Sequence, residues 1–529
     1  MPYYVVQHGS AASIVASDGT ITALTLPTGI TIVAGRVPRF AVWKREVIMV
    51  NAPSGPIAID RNANVRVFVP NAPTGAPTLV ATGTGGLSGV YLVRVSFLVK
   101  DAFGTILAES GLGPPSAASA TLASDLLQAN NIPISAQTIS ARRLYRTTAG
   151  GTTYFPWIDV DGNTVTTVTN DLSDAGLQLV AAPVNLGSAP NLTLISEWRG
   201  RLWGVGRDNI DTLRHTGADL SYAWDPDLEH EIGPMGSDRR GIVALIRRRD
   251  ELGVVRWSSM SMITGNTDDD FTRVVISEGI GCASNESVQI VEDDAYFLGT
   301  PYGIYKWSDN GLQCISNDKV RAWFATDTYF NRARFEYAKS NYDPAKNIYS
   351  VHLAAAGSSV EDRWIYYDIE ADHWYGPHKT GEFTPTAAGL LTTEEDKPLP
   401  TIGSSSGFLW KEQDTRTDGT STPIVMDCDS PFLSGGPPAP DIDKVFLELA
   451  MITKINAYPS GTLTITPKVG GMDATAGPVI EHDLSLGRER LPRLGGPGRF
   501  AQLNFYQATA GTDVVIYGWE LEYYELGRR

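Results

Sequence analysis

Short runs of strand-forming residues, each soon closed off by Gly, Pro, Asn or Asp, recur along this whole chain and confine it to an all-β fold. Arg39-Phe-Ala-Val-Trp-Lys, Tyr91-Leu-Val-Arg-Val-Ser-Phe, Leu202-Trp-Gly-Val and Trp364-Ile-Tyr-Tyr are examples. β-branched and aromatic residues between turn formers are what pleated, part-buried strands require. The turn formers are plentiful: 52 Gly and 32 Pro among 529 residues, with no collagen period to account for them. Helical patterning is confined to residues 122–129, 318–326 and 331–340.

Tryptophans in the strand-like runs are spaced regularly. Trp203, Trp257, Trp307, Trp364 and Trp410 are separated by 54, 50, 57 and 46 residues, close to the roughly 40–50 residues of a propeller blade. Trp43 lies 160 residues before Trp203, but residues 76–185 differ in composition, and removing those 110 restores a spacing of 50. The expectation is an all-β chain with a β-propeller of about six blades, built from residues 1–75 and 186–425. Each four-stranded blade covers both faces on its neighbours, so closure leaves few raw sheet edges. Ala295-Tyr-Phe-Leu-Gly-Thr-Pro-Tyr-Gly-Ile-Tyr-Lys-Trp reads as strand, turn, strand within one such blade.

The block 76–185 holds about seven strand-like runs and suits an inserted fibronectin- or immunoglobulin-like β-sandwich. Residues 426–437, with Ser430-Pro-Phe-Leu-Ser-Gly-Gly-Pro-Pro, read as a linker. Residues 438–529 read as a C-terminal β-sandwich.

Charge excludes one function class. Forty-three basic against 59 acidic residues give a net charge of −16, the wrong sign for a protein that grips a phosphate backbone. Cys282, Cys314 and Cys428 show no C-x-x-C spacing and read as reduced thiols. The start, Met-Pro-Tyr-Tyr-Val-Val, carries no secretory pattern, and no apolar run is long enough to span a bilayer.

Reactive constellations each have a plainer reading. His373 and His378 flank Trp374-Tyr-Gly-Pro at a spacing that suits no metal motif. Asp159-Val-Asp-Gly-Asn resembles a calcium loop but lacks its later ligands, and Asp161-Gly is a turn pair. Gly83-Thr-Gly-Gly-Leu-Ser-Gly leads into a strand, whereas phosphate binding needs a helix N-terminus. Gly403-Ser-Ser-Ser-Gly places Ser405 where a hydrolase nucleophile would stand, yet Phe408-Leu-Trp after it reads as a strand. The acidic runs Asp268-Asp-Asp, Glu292-Asp-Asp and Glu394-Glu-Asp read as solvated loops. Catalytic residues, a metal site and a cofactor are therefore all expected to be none. The one basic concentration, Arg239, Arg240, Arg247, Arg248 and Arg249, reads as a set of interface contacts.

One family resemblance runs along most of the chain. Ser196-Glu-Trp-Arg-Gly-Arg-Leu-Trp-Gly-Val-Gly-Arg-Asp-Asn resembles a blade of the tail nozzle (tail tubular B-like, or hub) proteins of short-tailed bacteriophages. The stretch from Ile246 to Gly265 is similar to the blade that follows. Arg143-Leu-Tyr-Arg-Thr-Thr-Ala-Gly-Gly resembles a phage fibronectin-type insert, and Gly498-Arg-Phe-Ala-Gln-Leu to Tyr523-Tyr-Glu-Leu-Gly-Arg-Arg their C-terminal sandwich. The resemblance implies a non-enzymatic virion protein, assembled in the host cytoplasm as a homo-hexamer in the tail. It implies contact with the adaptor and portal complex and with tail fibres or spikes, and genomic DNA passing through the lumen without specific binding. Two rival readings remain at this stage, a receptor-binding tail protein that contacts host glycan and a propeller glycoside hydrolase.

Overall fold

The computed structural model describes residues 3–50, 52, 55–178, 180–183, 186–187, 189–225, 227–233, 240–380, 384–392 and 398–411. Beyond these it describes 417–418, 422–423, 426–430, 444–453, 462–470, 476–484, 486, 488–492, 497–498, 500–508 and 516–525. The fold is all-β. One short α-helix, Arg321–Ala325, and the 3-10 turn Arg332–Tyr337 fall within two of the expected helical stretches. The third expectation is corrected: residues 122–129 lie in the strand Leu122–Asn130. Register shifts between Ala123 and Asp125 and between Asp125 and Leu126 change which side chains face inward. Leu122 and Leu127, an odd number of residues apart, both reach the core, which strict two-residue alternation would forbid and the bulges allow.

The chain divides into two compact units, Met1–His378 with Pro385–Lys411, and Lys379–Thr384 with Glu412–Arg529. Outside the inserted block, the described residues of the first unit form seven antiparallel sheets. Sheet 1 is Tyr3–His8, Ala11–Ala16 and Ile21–Ala23. Sheet 2 is Arg39–Trp43, Glu46–Val50, Ile57–Asp60 and Val65–Val67. Sheet 3 is Leu192–Trp198, Arg201–Gly206, Thr212–His215 and Glu229–Glu231. Sheet 4 is Ile242–Arg247, Leu252–Arg256, Met260–Thr264 and Thr272–Ser277. In sheet 5, Gly281–Cys282 and Gln289–Val291 both pair with Asp294–Thr300, followed by Gly303–Ser308 and Gly311–Cys314. Sheet 6 is Lys339–Asp343, Ile348–Leu353, Arg363–Asp368 and His373–Lys379, and sheet 7 is Pro385–Thr392, Pro398–Ser404 and Leu409–Lys411.

From sheet 1 to sheet 6, each sheet shares a core with the next in chain order. Ile14 meets Met49 and Ile59 between sheets 1 and 2, and Trp43 and Ile48 meet Leu192 and Leu202 between sheets 2 and 3. Trp198 and Trp203 meet Leu252 and Ile263 between sheets 3 and 4. Ile246 and Val255 meet Phe297 and Trp307 between sheets 4 and 5, and Tyr296 and Leu298 meet Tyr349 and Ile365 between sheets 5 and 6. Asn341 of sheet 6 donates to the Thr401 carbonyl of sheet 7 at 3.2 Å. Finally the Thr392 amide of sheet 7 donates to Tyr4 Oη of sheet 1 at 2.8 Å.

The six selected tryptophans lie in or beside sheets 2 to 7, one per sheet, and Trp43 and Trp203 belong to neighbouring sheets. Their positions are not equivalent: Trp43 ends a first strand, Trp203 sits in a second and Trp364 in a third. Sheet 1 has no tryptophan, which is why the spacing counts six sheets where the structure has seven.

The inserted block forms two sheets of its own. Thr78–Gly89, Leu122–Asn130 and Val168–Asn170 make one; Val93–Lys100, Ile106–Glu109, Ala141–Thr147 and Tyr154–Asp161 make the other. Tyr91, Val93, Val95, Leu127, Leu144 and Trp157 fill the core between them.

In the second unit, Phe446, Leu449, Leu463, Ile465, Leu503 and Phe505 form a core between two further sheets. One boundary is corrected here. Met426–Asp429, assigned to the linker 426–437, is a strand paired with Phe500–Gln507, so this unit begins before residue 438. Residues 431–437 lie outside the described residues.

The strand assignment of 122–129 is testable. Leu127 is fully buried, so Leu127→Ala should lower stability by about 2–5 kcal/mol in chemical denaturation, the cost of a core cavity. Substituting exposed Ser124 by Thr should leave the midpoint nearly unchanged only if the residue does not need positive φ. Its φ of 64° predicts a measurable loss for that β-branched residue.

Candidate functional site

The arginines singled out in the sequence do not form one surface. Arg239 lies outside the described residues. Arg240 is exposed, with its guanidinium 3.8 Å from the centre of the Trp257 ring and 3.8 Å from Glu336. Arg247 is exposed and pairs with Glu197 of sheet 3 at 2.7 Å. Arg249 is exposed, and its backbone amide donates to Asp293 at 2.8 Å.

Arg248 is the exception and corrects the expectation of an interface contact. It is only 4% exposed. Its Nε donates to the Asp293 carbonyl at 2.7 Å and Nη1 to Glu251 at 2.8 Å, while Nη2 pairs with Asp309. Its guanidinium lies over Trp307 at 4.8 Å. Arg248 therefore fastens sheet 4 to sheet 5 within the chain. Gly253 serves the same junction, since a Cβ there would come within 2.7 Å of the Trp307 ring.

The motif Trp198-Arg-Gly-Arg also has a local explanation. Trp198 pairs with Arg201, leaving a two-residue hairpin loop. Arg199 and Gly200 both have positive φ, 54° and 65°, as a type I′ turn requires. The turn sends Arg199 to Asp250 at 2.9 Å and Arg201 to Asp268 at 2.9 Å. Acidic runs read as solvated loops thus hold basic partners: Asp268 takes Arg201, Asp293 faces Arg248 at 3.5 Å and Asp294 takes Lys306 at 2.6 Å. Glu394-Glu-Asp lies outside the described residues.

Long-range pairs that the sequence does not signal hold the sheet starts together. Arg39, at the start of sheet 2, grips Glu286 of the sheet 5 segment with Nη1 at 2.7 Å and Nη2 at 2.9 Å. Glu361, 5% exposed, takes Arg334 at 2.7 Å and faces Lys339 at 3.7 Å. Burial lowers the Lys339 pKa, and Glu361 opposes that shift. In the insert, buried Glu109 accepts from Ser96 at 2.6 Å and from the Tyr145 hydroxyl. Burial, then the Glu109 charge, pushes the Tyr145 pKa up. These partners are 247, 27 and 36 residues apart, and only the fold brings them together.

Two histidines form an aromatic stack in sheet 3. The His215 and His230 rings lie 5.4 Å apart, and both lie against Trp203, at 4.4 and 5.7 Å. Burial lowers the His215 pKa to about 4 and that of His230 in the same direction. Their chemistry is that of neutral core groups. His373 and His378 sit on the outermost strand of sheet 6, with the Tyr366 ring 5.6 Å from His378. Ser405 lies in the turn between two strands of sheet 7, the wrong context for a nucleophile elbow. Asp159 pairs with Lys100 at 2.8 Å and Arg143 at 2.7 Å. Among the described residues, no three or more His, Cys, Asp or Glu side chains are placed to hold a metal ion. No helix among them is long and apolar enough to cross a membrane.

No family model and no curated protein matches the chain. Among solved structures it is similar to PorZ, a bacterial surface component of the type-IX secretion system of Porphyromonas gingivalis. That match has 10% identity and a TM-score of 0.27, over 99% of this chain and 75% of the other. An exo-β-1,3-galactanase from Phanerochaete chrysosporium matches at 8% identity and TM-score 0.18, over 98% of this chain and all of the other. The extracellular domain of a hybrid two-component system from B. thetaiotaomicron matches at 10% and 0.23, over 98% and 77%. At these TM-scores none of the three bears on what the chain does.

Two outcomes are expected. Arg248→Ala should cost about 2 kcal/mol in chemical denaturation through lost charge-assisted bonds and the Trp307 contact, whereas exposed Arg247→Ala should stay within about 0.5 kcal/mol. Stability should also fall on acidification. Unfolded His215 binds a proton near pH 6.5, but the folded form resists until about 4. Its contribution is complete above pH 6.5 and is lost as pH falls toward 4, on the order of 2–3 kcal/mol. Replacing His215 by Phe should flatten the stability profile in that window.

Proposed function

We propose that the chain is a structural tail protein of a short-tailed bacteriophage, a nozzle subunit that rings the DNA exit channel in six copies. The supporting observation is where the nozzle-like motifs fall. Ser196 to Asn209 spans the first hairpin of sheet 3, and Ile246 to Gly265 spans the core strands of sheet 4. These two consecutive sheets share the Trp198 and Trp203 core. The third motif, from Arg143, lies in the strand Ala141–Thr147 of the insert and the turn after it.

In this reading the seven sheets of the first unit form a β-propeller closed by the Tyr4–Thr392 contact. The insert and the second unit are β-sandwiches. A first strand that bulges at the same place supports a repeated blade: register shifts fall between Leu192 and Leu194, Ile242 and Ala244, and Pro385 and Ala387. The Arg39–Glu286 pair joins the starts of sheets 2 and 5, and in this reading the DNA channel lies between copies. The net charge of −16 suits a wall past which DNA slides without binding, because like charges repel across the Debye length. Arg240, Arg247 and Arg249 remain exposed enough to contact a neighbouring copy or the adaptor; tail fibres or spikes would attach from outside.

Reconstruction of a virion tail tests this reading. Six copies around the tail axis, with Asp and Glu prevailing on the channel wall, are expected. A three-fold fibre, or a wall lined mainly by Lys and Arg, would overturn it.

A further inference from the structure

We propose that the loop end of the inserted sandwich docks a protein partner through an apolar segment carrying a single carboxylate, and that Arg142 is the group that receives it. Three loops make this end: 101–105, 131–140 and 162–167. Ser140 ties them together, its Oγ accepting from the Lys100 amide at 2.9 Å and its carbonyl from the Gly162 amide at 2.8 Å. Loops 131–140 and 162–167 are also clasped to each other. The Ser135 amide donates to Asn163 Oδ1 at 2.9 Å, Asn163 Nδ2 to the Ser135 carbonyl at 2.7 Å, and the Ile132 amide to the Thr166 carbonyl at 3.0 Å.

The charge beneath this end lacks its counterpart. Alternation along the strand Ala141–Thr147 puts Arg142, Leu144 and Arg146 on the face that meets the core. Both arginines are fully buried, but their surroundings differ. Arg146 donates from its two Nη atoms to Asp174 at 2.7 Å and to the carbonyls of Thr147 and Leu172 at 3.0 and 2.8 Å. Its guanidinium also lies over the Tyr91 ring at 4.6 Å. Arg142 donates only from Nε, to the Gly162 carbonyl at 3.1 Å. Its Nη1 and Nη2 are buried with no hydrogen-bond partner among the described residues. Burial lowers its pKa, and no neighbouring carboxylate opposes the shift. An unpaired buried cation is destabilising, and a carboxylate set against both Nη groups relieves it.

The outside of the same end is apolar. Phe103, Ile134 and Val165, one on each loop, are 94%, 57% and 48% exposed. A tight turn presents Phe103: the Asp101 carboxylate accepts from the Phe103 and Thr105 amides at 2.9 and 2.8 Å. Apolar tips outside and an unpaired charge inside reverse the usual order of burial. One event corrects both. The clasp parts, apolar residues of the partner cover the three tips, and its carboxylate reaches Arg142. A single carboxylate suits this end better than a run of them, because Asp101 and the 92% exposed Asp161 at the rim repel a polyanion. The inference concerns the insert of one copy and does not rest on the nozzle reading.

The test uses the full chain and a labelled peptide with one Glu among Leu and Val residues, with binding read by fluorescence anisotropy. Arg142→Met keeps the stem and removes the charge. It should weaken binding about tenfold or more, while the melting temperature stays the same or rises because an unpaired buried charge is gone. Phe103→Ser, at an exposed tip, should weaken binding severalfold at an unchanged melting temperature. Asn163→Ala releases the clasp and should tighten binding, since the parted form is then more populated. The same peptide with Gln in place of Glu should bind about tenfold more weakly. Absence of binding by the Glu peptide, equal affinity of the Glu and Gln peptides, or equal affinity of wild type and Arg142→Met would overturn the proposal. A sharply lower melting temperature in Arg142→Met would overturn it too, by showing that Arg142 is already paired within the fold. So would displacement of the peptide by inorganic phosphate or by phosphatidylglycerol vesicles.

Discussion

Sheet-on-sheet burial is the constraint that everything else in the first unit answers to. A sheet between two others must present apolar side chains on both faces. Sheet 4 shows how one strand manages it: Leu252 and Val254 point to the core shared with sheet 3, and Val255 to the core shared with sheet 5. The first strand does the same through a bulge, with Ile242 on one side and Ala244 and Ile246 on the other. In sheet 5, Ala295 and Phe297 face sheet 4 while Tyr296 and Leu298 face sheet 6.

Charge is arranged around that packing. Arg248 stacks on Trp307 and collects carboxylates from two loops, so it buries aliphatic stem and aromatic contact as well as charge. Arg39 and Glu286 do the same between the starts of sheets 2 and 5. Such pairs, fully formed and hydrogen-bonded, hold register between sheets that make no backbone bonds to each other. His215 and His352 are held toward the neutral form instead: burial lowers the pKa of the first, against Trp203, to about 4 and that of the second to about 3.

The proposed nozzle role would ask of this body an acidic wall and side contacts between copies. The chain's low content of charge, 19% of residues, goes with so much two-sided burial.

The all-β class, the separate block between residues 76 and 185 and the recurrence near 50 residues were all legible in the amino-acid order. Each is set by local chemistry: β-branched and aromatic runs, turn formers, and tryptophans that recur in most of the sheets. What only the tertiary structure decided depends on partners far apart in the chain. Sheet 1 escapes a count based on tryptophan because Ile14 and Val15 do its packing. Residues 122–129 read as helix because bulges break the two-residue alternation. The basic run looked like one surface until folding buried Arg248 and left Arg247 and Arg249 outside. Adjacent strand residues point to opposite faces, and whether a face meets solvent or another sheet is fixed by segments dozens of residues away.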